Sequence, residues 1–288
     1  MRTGSAAATL CTLALLAGAA HAEQAVRTWG PHSDRDRRAV HALELLEAAL
    51  EVSVAGYGPY RLEISVPGMA RRRALVELQA GKLVNVLAAP TRTEWEETLI
   101  PVRIPLRKGL LSYRLLLVDR AQLDLFSGIA SVEELKRLRA GLRSGWSTTA
   151  AMEALGFTVV VGASYEGLFR MLMSERFDYF PRGINEIFPE LDSRRGEFPD
   201  MVIEPTLALH LPLPQYFFVT PGEPALARRL EAGLRALIEN GAFDALFQRH
   251  YADAIAMAGL AGRRVLRVRN PHLSPQTPDP DGPLWFRP

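Results

Sequence analysis

The sequence predicts an α/β protein in which strands and helices alternate along the chain. Residues 60–66 alternate apolar and polar side chains as a half-exposed strand does, and a helix pattern that Gly81 closes comes next. The same order of strand and helix signals returns from residue 113 onwards. Because such alternation is typical of layered, largely parallel sheets, we expect two similar α/β units.

The second unit carries the clearest local signals. Residues 113–118 predict a buried strand, and Ser131 begins the run Ser-Val-Glu-Glu, which matches a capping box at the start of a helix. Residues 207–220 are extended and interrupted by prolines, which indicates a return crossover. Further helices are expected over residues 148–155, 165–173, 186–191, 226–239 and 243–251, and further strands over 157–161 and 177–180.

The N-terminus predicts a secretory signal peptide over residues 1–22. A cationic start is followed by a short apolar centre and an Ala-His-Ala ending, and the centre is too short to span a bilayer stably. The alternative is a buried N-terminal helix. A lipoprotein signal around Cys11 is disfavoured because Leu10 is larger than the residue usual at that position. We therefore expect cleavage after Ala22 and export to the periplasm.

Composition and motifs exclude several classes of function. The formal charge of +2, with 34 basic and 32 acidic residues, argues against a nucleic-acid partner. Cys11 is the only cysteine, and the six histidines lack metal-binding spacing, so no metal site is predicted. No GxSxG, GxGxxG or Walker motif is present, so we expect no cofactor and assign no catalytic residue.

Four stretches, in order, resemble the family 3 solute-binding proteins, which are the polar amino-acid receptors of ABC importers. Residues 74–87 resemble that family's helix, glycine and strand passage, and residues 90–105 stand in place of its threonine-rich loop and proline turn. Residues 168–178 are similar to its leucine-rich helix and aspartate-bearing strand, and residues 230–251 to its closing helices. Together the stretches span nearly the whole predicted mature chain.

The resemblance implies a two-lobed type II periplasmic-binding fold, in which each lobe is a mostly parallel sheet flanked by helices and two extended crossovers join the lobes. It implies a small polar or charged ligand in the interlobe cleft, an ABC permease or a membrane sensor as partner, and a monomer. The expected segments are lobe 1 at residues 23–117, the inserted lobe 2 at 118–214, the rest of lobe 1 at 215–270, and an irregular tail at 271–288.

The resemblance also implies where the ligand lies, at strand ends and helix N-termini that face the cleft. The turn from Gly145 into the following helix is one such place, although Ser147 or Thr148 can equally serve as an ordinary helix cap. The loop after residue 90 should face it from the other lobe. The predicted ligand-binding residues are Thr91, Arg92, Thr93, Trp95, Glu96, Trp146, Ser147, Thr148 and Arg182.

Two of these residues depart from the family pattern. Amino-acid receptors carry an arginine three positions after the threonine that matches Thr93, and here that position is Glu96. They carry an aspartate shortly after the position of Asp178, where this chain has Arg182. One hypothesis is a ligand other than a standard amino acid in the standard orientation. The alternative is that Glu96 and Arg182 pair across the cleft or point to solvent. Separately, Arg92 and Arg103 are candidates to grip an anion from a shifted position.

Two rival functions remain open. A few proteins of this fold are dehydratases, and Glu94, Glu96 or Asp178 could supply an acid or a base, but no acid–base pair is visible by spacing. A sensory module that docks on a membrane partner is the other alternative. Trp95, Trp146, Tyr179 and Phe180 are candidate aromatic walls, although aromatic residues at strand ends are more often core.

Overall fold

The computed structural model describes residues 22–30, 40–66 and 71–288. The predicted signal peptide lies outside these ranges except for Ala22. The described strands are β1 (Gln24–Trp29), β2 (Tyr60–Val66), β3 (Val86–Pro90), β4 (Ile100–Val102), β5 (Tyr113–Asp119), β6 (Arg139–Arg143), β7 (Thr158–Gly162), β8 (Phe180–Gly183), β9 (Met201–Ile203), β10 (Leu207–His210), β11 (Gln215–Val219) and β12 (Arg264–Arg267).

The helices lie between these strands and after β11. They are α1 (Val40–Val52), α2 (Val54–Tyr57), α3 (Arg71–Ala80), α4 (Thr93–Thr98), α5 (Asp124–Ser127), α6 (Val132–Arg137), α7 (Ser147–Ala154), α8 (Tyr165–Met173), α9 (Ile187–Asp192), α10 (Pro224–Glu239) and α11 (Ala242–Ala258). Across the described ranges, none of them has the length and apolar character that a bilayer crossing requires.

The first group of strands comes from the beginning of the chain and from β11. β1 and β2 pair in parallel, with Val26 opposite Leu62. β11 lies between β3 and β4 and is antiparallel to both. The N–H of Asn85 donates to the carbonyl of Arg27 at 2.9 Å, which ties the start of β3 to β1. The chain therefore returns to its first sheets through β11, as the extended segment at 207–220 predicts.

The second group is built around β5. This strand pairs antiparallel with β8, β9 and β10, and β10 pairs in parallel with β12. β6 and β7 form a parallel pair, and a bridge from Ala140 to Tyr179 joins them to the chain entering β8. Leu115 and Leu117 face one core while Leu116 and Val118 face another. Residues 115–118 of β5 are an unbroken apolar run because both faces of the strand are buried there.

Two crossovers connect the groups and lie side by side. The N–H of Leu211 donates to the carbonyl of Ser112, and the N–H of Leu106 donates to the carbonyl of Gln215, both at 2.9 Å. β12 differs from its predicted place: residues 215–270 were assigned to lobe 1, but β12 pairs with β10 of the second group. The reason is that β10 and β12 lie far apart in the sequence, so no local pattern predicts that these two strands pair. β5 differs as well, because residues 113–117 were assigned to lobe 1 but all of β5 pairs within the second group. The boundary at 214 stays a prediction.

The predicted capping box at Ser131 is confirmed. The Ser131 hydroxyl accepts from the N–H of Glu134 and the Glu134 side chain accepts from the N–H of Ser131, so the capping box forms. Residues 141–145 are expected to lead into the helix that starts near Thr148, and they do so as the end of β6 and the turn at Gly145. Gly141 weakens the strand signal, and the ring of Phe177 fills the space beside it: a Cβ there would lie 2.1 Å from Phe177 Cζ.

Replacing Gly233 with alanine is expected to lower the free energy of unfolding by about 2 kcal/mol or more. α10 packs on α1 at this position, and a Cβ on Gly233 would lie 2.1 Å from the backbone oxygen of Ala49. Urea denaturation measures the loss. Gly56→Ala in α2 is the control, because no atom lies within 4 Å of its added Cβ. Equal stability losses in the two variants would contradict the close helix contact.

Candidate functional site

α7 begins directly after β6 and a turn at Gly145, whose φ of 80° suits glycine. The N-cap residue of α7 is Trp146, and its side chain makes no capping hydrogen bond. Ser147 is already the first residue of the helix, so the interpretation of Ser147 or Thr148 as an ordinary cap is corrected. A helix start without a side-chain cap presents N–H groups that favour an anion.

Arg92 reaches this helix start from the other group of sheets. It follows β3 in an extended conformation, and its Nε donates to Ser147 Oγ at 2.8 Å. Its Nη2 donates to the carbonyl of Gly145. Burial lowers the pKa of Arg92, an effect that nearby Glu94 partly offsets. The structure thus brings Arg92, Ser147 and Trp146 together from the predicted set of ligand-binding residues.

Glu96 forms its contacts within its own group of sheets. The Thr91 hydroxyl donates to the Glu96 carboxylate. Arg103 donates to the same carboxylate from Nη2 at 2.9 Å and from Nε at 3.2 Å. The Glu96 side chain is 6% exposed. Glu96 neither pairs across to Arg182 nor points to solvent, so the alternative proposed for it is wrong, and Arg103 is engaged by Glu96.

Arg182 lies in a pocket of aromatic and acidic side chains. It donates from Nε to Glu190 at 2.7 Å, and its Nη2 lies 3.2 Å from the Glu186 carboxylate. The rings of Trp146 and Phe180 lie 4.9 and 5.0 Å from its guanidinium carbon. These contacts satisfy Arg182 inside the second group, and the alternative of pairing with Glu96 or facing solvent is wrong for it too.

The opposite charges in this pocket shift one another's pKa values. Burial acts to lower the pKa of Arg182, but the carboxylates of Glu186 and Glu190 outweigh it and the pKa is raised. Burial acts to raise the pKa of Glu186, but Arg182 and Arg114 outweigh it and that pKa is lowered. Each group is therefore held in its charged form.

Sequence reasoning missed Tyr165, Glu186 and Glu190 as members of this pocket. The Tyr165 hydroxyl donates to Glu190 at 2.7 Å, and burial followed by the charge of Glu190 raises the pKa of Tyr165. Glu186 and Glu190 follow Arg182 at four and eight positions, but Arg182 lies in β8 and Glu186 precedes α9, so no helical spacing in the sequence indicated these pairs.

The remaining predicted residues divide into core and surface. Trp95 is 2% exposed and packs edge-on against Phe218 at 5.3 Å, so it lies in the core. Thr148 is also buried. Thr93 is exposed, and its hydroxyl lies 3.4 Å from the carbonyl of His272. Among the candidate aromatic walls, Tyr179 is fully buried.

Sequence comparison finds no model of a known protein family that matches the chain and no match among curated proteins. Structure comparison does find matches. A histidine kinase sensor domain with similarity to periplasmic binding proteins has a TM-score of 0.53 at 18% identity, over 80% of this chain and 96% of that one. This chain has the periplasmic-binding-protein fold. The predicted two-lobed α/β class is therefore confirmed. The expectation of mostly parallel sheets is wrong, because β5 and β11 run antiparallel to their neighbours: among the described strands, five pairs are antiparallel and three are parallel.

Two reconstructed proteins share the periplasmic-binding-protein fold with this chain. An ancestral arginine-binding protein bound to arginine has a TM-score of 0.51 at 16% identity, over 79% of this chain and 96% of that one. An ancestral amino-acid-binding protein, a precursor of cyclohexadienyl dehydratase, also has a TM-score of 0.51, at 15% identity over 79% and 93%. The resemblance to family 3 solute-binding proteins agrees with these folds.

Arg114 is a buried cation close to the crossovers of this periplasmic-binding-protein fold. It lies near the start of β5, opposite Gly183 of β8, and is 3% exposed. Burial lowers its pKa to about 10, an effect that Glu186 partly offsets. Its Nε has no hydrogen-bond partner.

In the described ranges, no group of three histidine, cysteine, aspartate or glutamate side chains could hold a metal ion.

An open groove lies elsewhere, between α1 and α11. It has a volume of about 450 Å³, and its lining includes Glu44, Glu47, Glu51, Tyr60 and Arg249. None of the predicted ligand-binding residues lines it. The groove is thus separate from the contact between Arg92 and α7.

Lowering the pH from 6.5 to 5 is expected to destabilise the fold through His41. This ring is 1% exposed, and burial, then Arg107, His250 and Arg249, lower its pKa to about 3. Its stabilising contribution is present above about pH 6.5 and is lost on acidification, because the unfolded chain then binds a proton that the folded chain does not. The loss is about 2 kcal/mol per 1.5 pH units.

Urea denaturation at several pH values measures this slope in the wild type and in His41→Phe. The free energy of unfolding of the variant should depend on pH less steeply than that of the wild type, by the equivalent of one bound proton, whatever the absolute stability of the variant. His210, whose pKa is lowered to about 4 by burial and by Arg267, remains in both proteins and contributes with the same sign. Parallel slopes in the two proteins would contradict a neutral, buried His41.

Proposed function

We propose that this chain is a solute-binding protein that holds a small ligand with an anionic group between its two lobes. The observation that carries the proposal is the contact of Arg92 with Ser147 and Gly145 at the uncapped start of α7. The guanidinium of Arg92 and the N–H groups at the start of α7 are both donors. A carboxylate that replaces the direct contacts of Arg92 with Ser147 and Gly145 would accept from both donors and hold the lobes together.

The neighbours in structure support a ligand of amino-acid type. One of them was solved with arginine bound, and another is an amino-acid-binding protein. In this chain the acidic and aromatic pocket that would face a ligand's cationic end already holds Arg182. We therefore infer that the ligand's anionic group provides most of the recognition and that Glu96 and Arg182 support the site through their neighbours.

A thermal-shift screen of amino acids and small organic acids tests the proposal, with titration calorimetry for each compound that raises the melting temperature. Arg92→Ala should weaken the binding of such a compound by about ten- to a hundred-fold, since a charge-assisted hydrogen bond contributes about 1.5–3 kcal/mol. Both measurements use the protein that begins after Ala22.

Arg195→Ala is the matched control. The Arg195 side chain is 74% exposed, and its contact with Asp192 is 3.8 Å long, so this variant should bind as the wild type does. A screen in which no compound stabilises the protein would count against solute binding. Unchanged affinity in Arg92→Ala would instead move the site away from α7.

We further propose export to the periplasm through residues 1–22 and delivery of the ligand to an ABC permease by a monomeric protein. A sensing role is the second candidate, because one structural neighbour is a histidine kinase sensor domain. Deleting the gene should abolish high-affinity uptake of the identified ligand. Uptake that persists while a ligand-dependent transcriptional response disappears would favour sensing, and chemical conversion of the ligand would favour an enzyme.

A further inference from the structure

The segment of residues 270–288 follows β12 and contacts both groups of sheets. The amide of Asn270 donates to the carbonyl of Pro212 in the second crossover at 3.0 Å. The carbonyl of His272 accepts from the hydroxyl of Thr93 at the start of α4. His272 Nε2 lies 3.3 Å from the carbonyl of Ala150 in α7. One residue of the segment thus joins the loop that carries Arg92 to the helix that Arg92 contacts.

The end of the segment is anchored on the first crossover. Trp285 is 4% exposed, and its ring covers Gly109, where a Cβ would lie 1.9 Å from the indole. The N–H of Phe286 donates to the carbonyl of Lys108 at 2.6 Å. The Phe286 ring packs at 5.8 Å from Tyr113 and at 6.0 Å from Phe247 of α11.

We propose that residues 270–288 form a strap that holds the two lobes in contact, and that opening of the cleft requires its release. The strap follows β12 of the second group. His272 contacts Thr93 of α4 and Ala150 of α7. The end of the strap packs on the first crossover through Trp285 and on α11 through Phe286. Opening by a hinge changes the backbone of the crossovers, and a side chain packed over Gly109 resists that change. The inference concerns the resting position of the lobes and does not require that a ligand binds.

The distance between the lobes tests the strap. Glu97 of α4 and Glu153 of α7 are both exposed, so Glu97→Cys and Glu153→Cys accept spin labels in the protein that begins after Ala22, which lacks Cys11, the only native cysteine. Pulsed electron spin resonance then gives the distance distribution without ligand. Trp285→Ala, and a chain that ends at Asn270, should both shift the distribution to longer distances. Adding a peptide of residues 271–288 to the shortened chain should reverse its shift.

Gln276→Ala is the control, because this exposed side chain lies within the strap and should leave the distances unchanged. Far-ultraviolet circular dichroism checks that each variant is folded, and Trp285→Ala decides the result because it keeps the full length of the strap. Distances in folded Trp285→Ala that equal those of the wild type would overturn the proposal. Failure to find a ligand would leave this measurement unaffected, so it is separate from the test of solute binding.

Discussion

Replacing Arg182 with alanine is expected to lower the free energy of unfolding by about 3–5 kcal/mol, the largest effect that we predict for a single substitution. Arg182 is the cation that contacts both Glu186 and Glu190. Their side chains are 19% and 12% exposed, so its removal leaves two largely buried carboxylates to repel each other. The packing of the guanidinium on Trp146 is lost as well.

Urea denaturation near pH 7 measures this loss, and Arg235→Ala is the control. Arg235 pairs with Glu231 on the surface of α10 with 60% of its side chain exposed, so its loss should change stability by about 0.5 kcal/mol at most. The double variant Arg182→Met, Glu190→Gln should recover part of the stability, because Glu190 then carries no charge and Glu186 keeps Arg114 as its counter-charge. Similar losses in Arg182→Ala and Arg235→Ala would contradict the buried ion pairs.

Replacing Arg229 with methionine is expected to cost about 2–3 kcal/mol of unfolding free energy. Arg229 is fully buried in α10, where its Nε donates to Ser53 Oγ and its Nη2 to the carbonyl of Gly58, both at 2.9 Å. A second bond from Nη2 reaches the carbonyl of Leu50 at 3.3 Å. Methionine fills much of the same space but donates nothing, so Ser53 Oγ and the Gly58 carbonyl lose this donor, while the Leu50 carbonyl keeps its bond from the Ser53 hydroxyl.

The neighbouring residue provides the control for this prediction. Arg228 is exposed on the same helix, so Arg228→Met should change stability by less than about 0.5 kcal/mol. Chemical denaturation compares the two variants. Because Arg229 lies at the contact of α10 with α1 and α2, its loss should leave the affinity for any identified ligand unchanged. Equal stabilities of the two variants would show that the carbonyls find other donors.

The local elements were predictable because their signals are short in range. The capping box at Ser131 and the apolar run of β5 depend on neighbours within a few positions, and both have the predicted form. α11 extends to Ala258, beyond the predicted end at Tyr251. Its last turns pack Ala258 into the core around β5, a contact that no local pattern announces.

The sequence predicted which segments meet at the start of α7, but not which side chains pair with Glu96 and Arg182. The loop at Arg92 and the turn at Gly145 were both identified, and they meet. Glu96 and Arg182 carry charges opposite to those of the family pattern, and this difference was interpreted as a property of the ligand site. In the structure Arg103 and Glu190 neutralise these charges, and such partners depend on packing between helix and strand.

The sequence by itself determined the α/β alternation, the extended return segment at residues 207–220 and the residues at the helix start of α7, because propensity, hydrophobic period and turn chemistry act over a few residues. The first connection, over residues 103–112, was expected to be extended, but it is built of turns and a short 3-10 helix. The tertiary structure alone decided that β12 joins β10, that Arg182 is held by two glutamates, and that residues 270–288 cross between α4 and α7. These contacts join residues far apart in the chain, so they exist only after the cores have packed and fixed which surfaces meet.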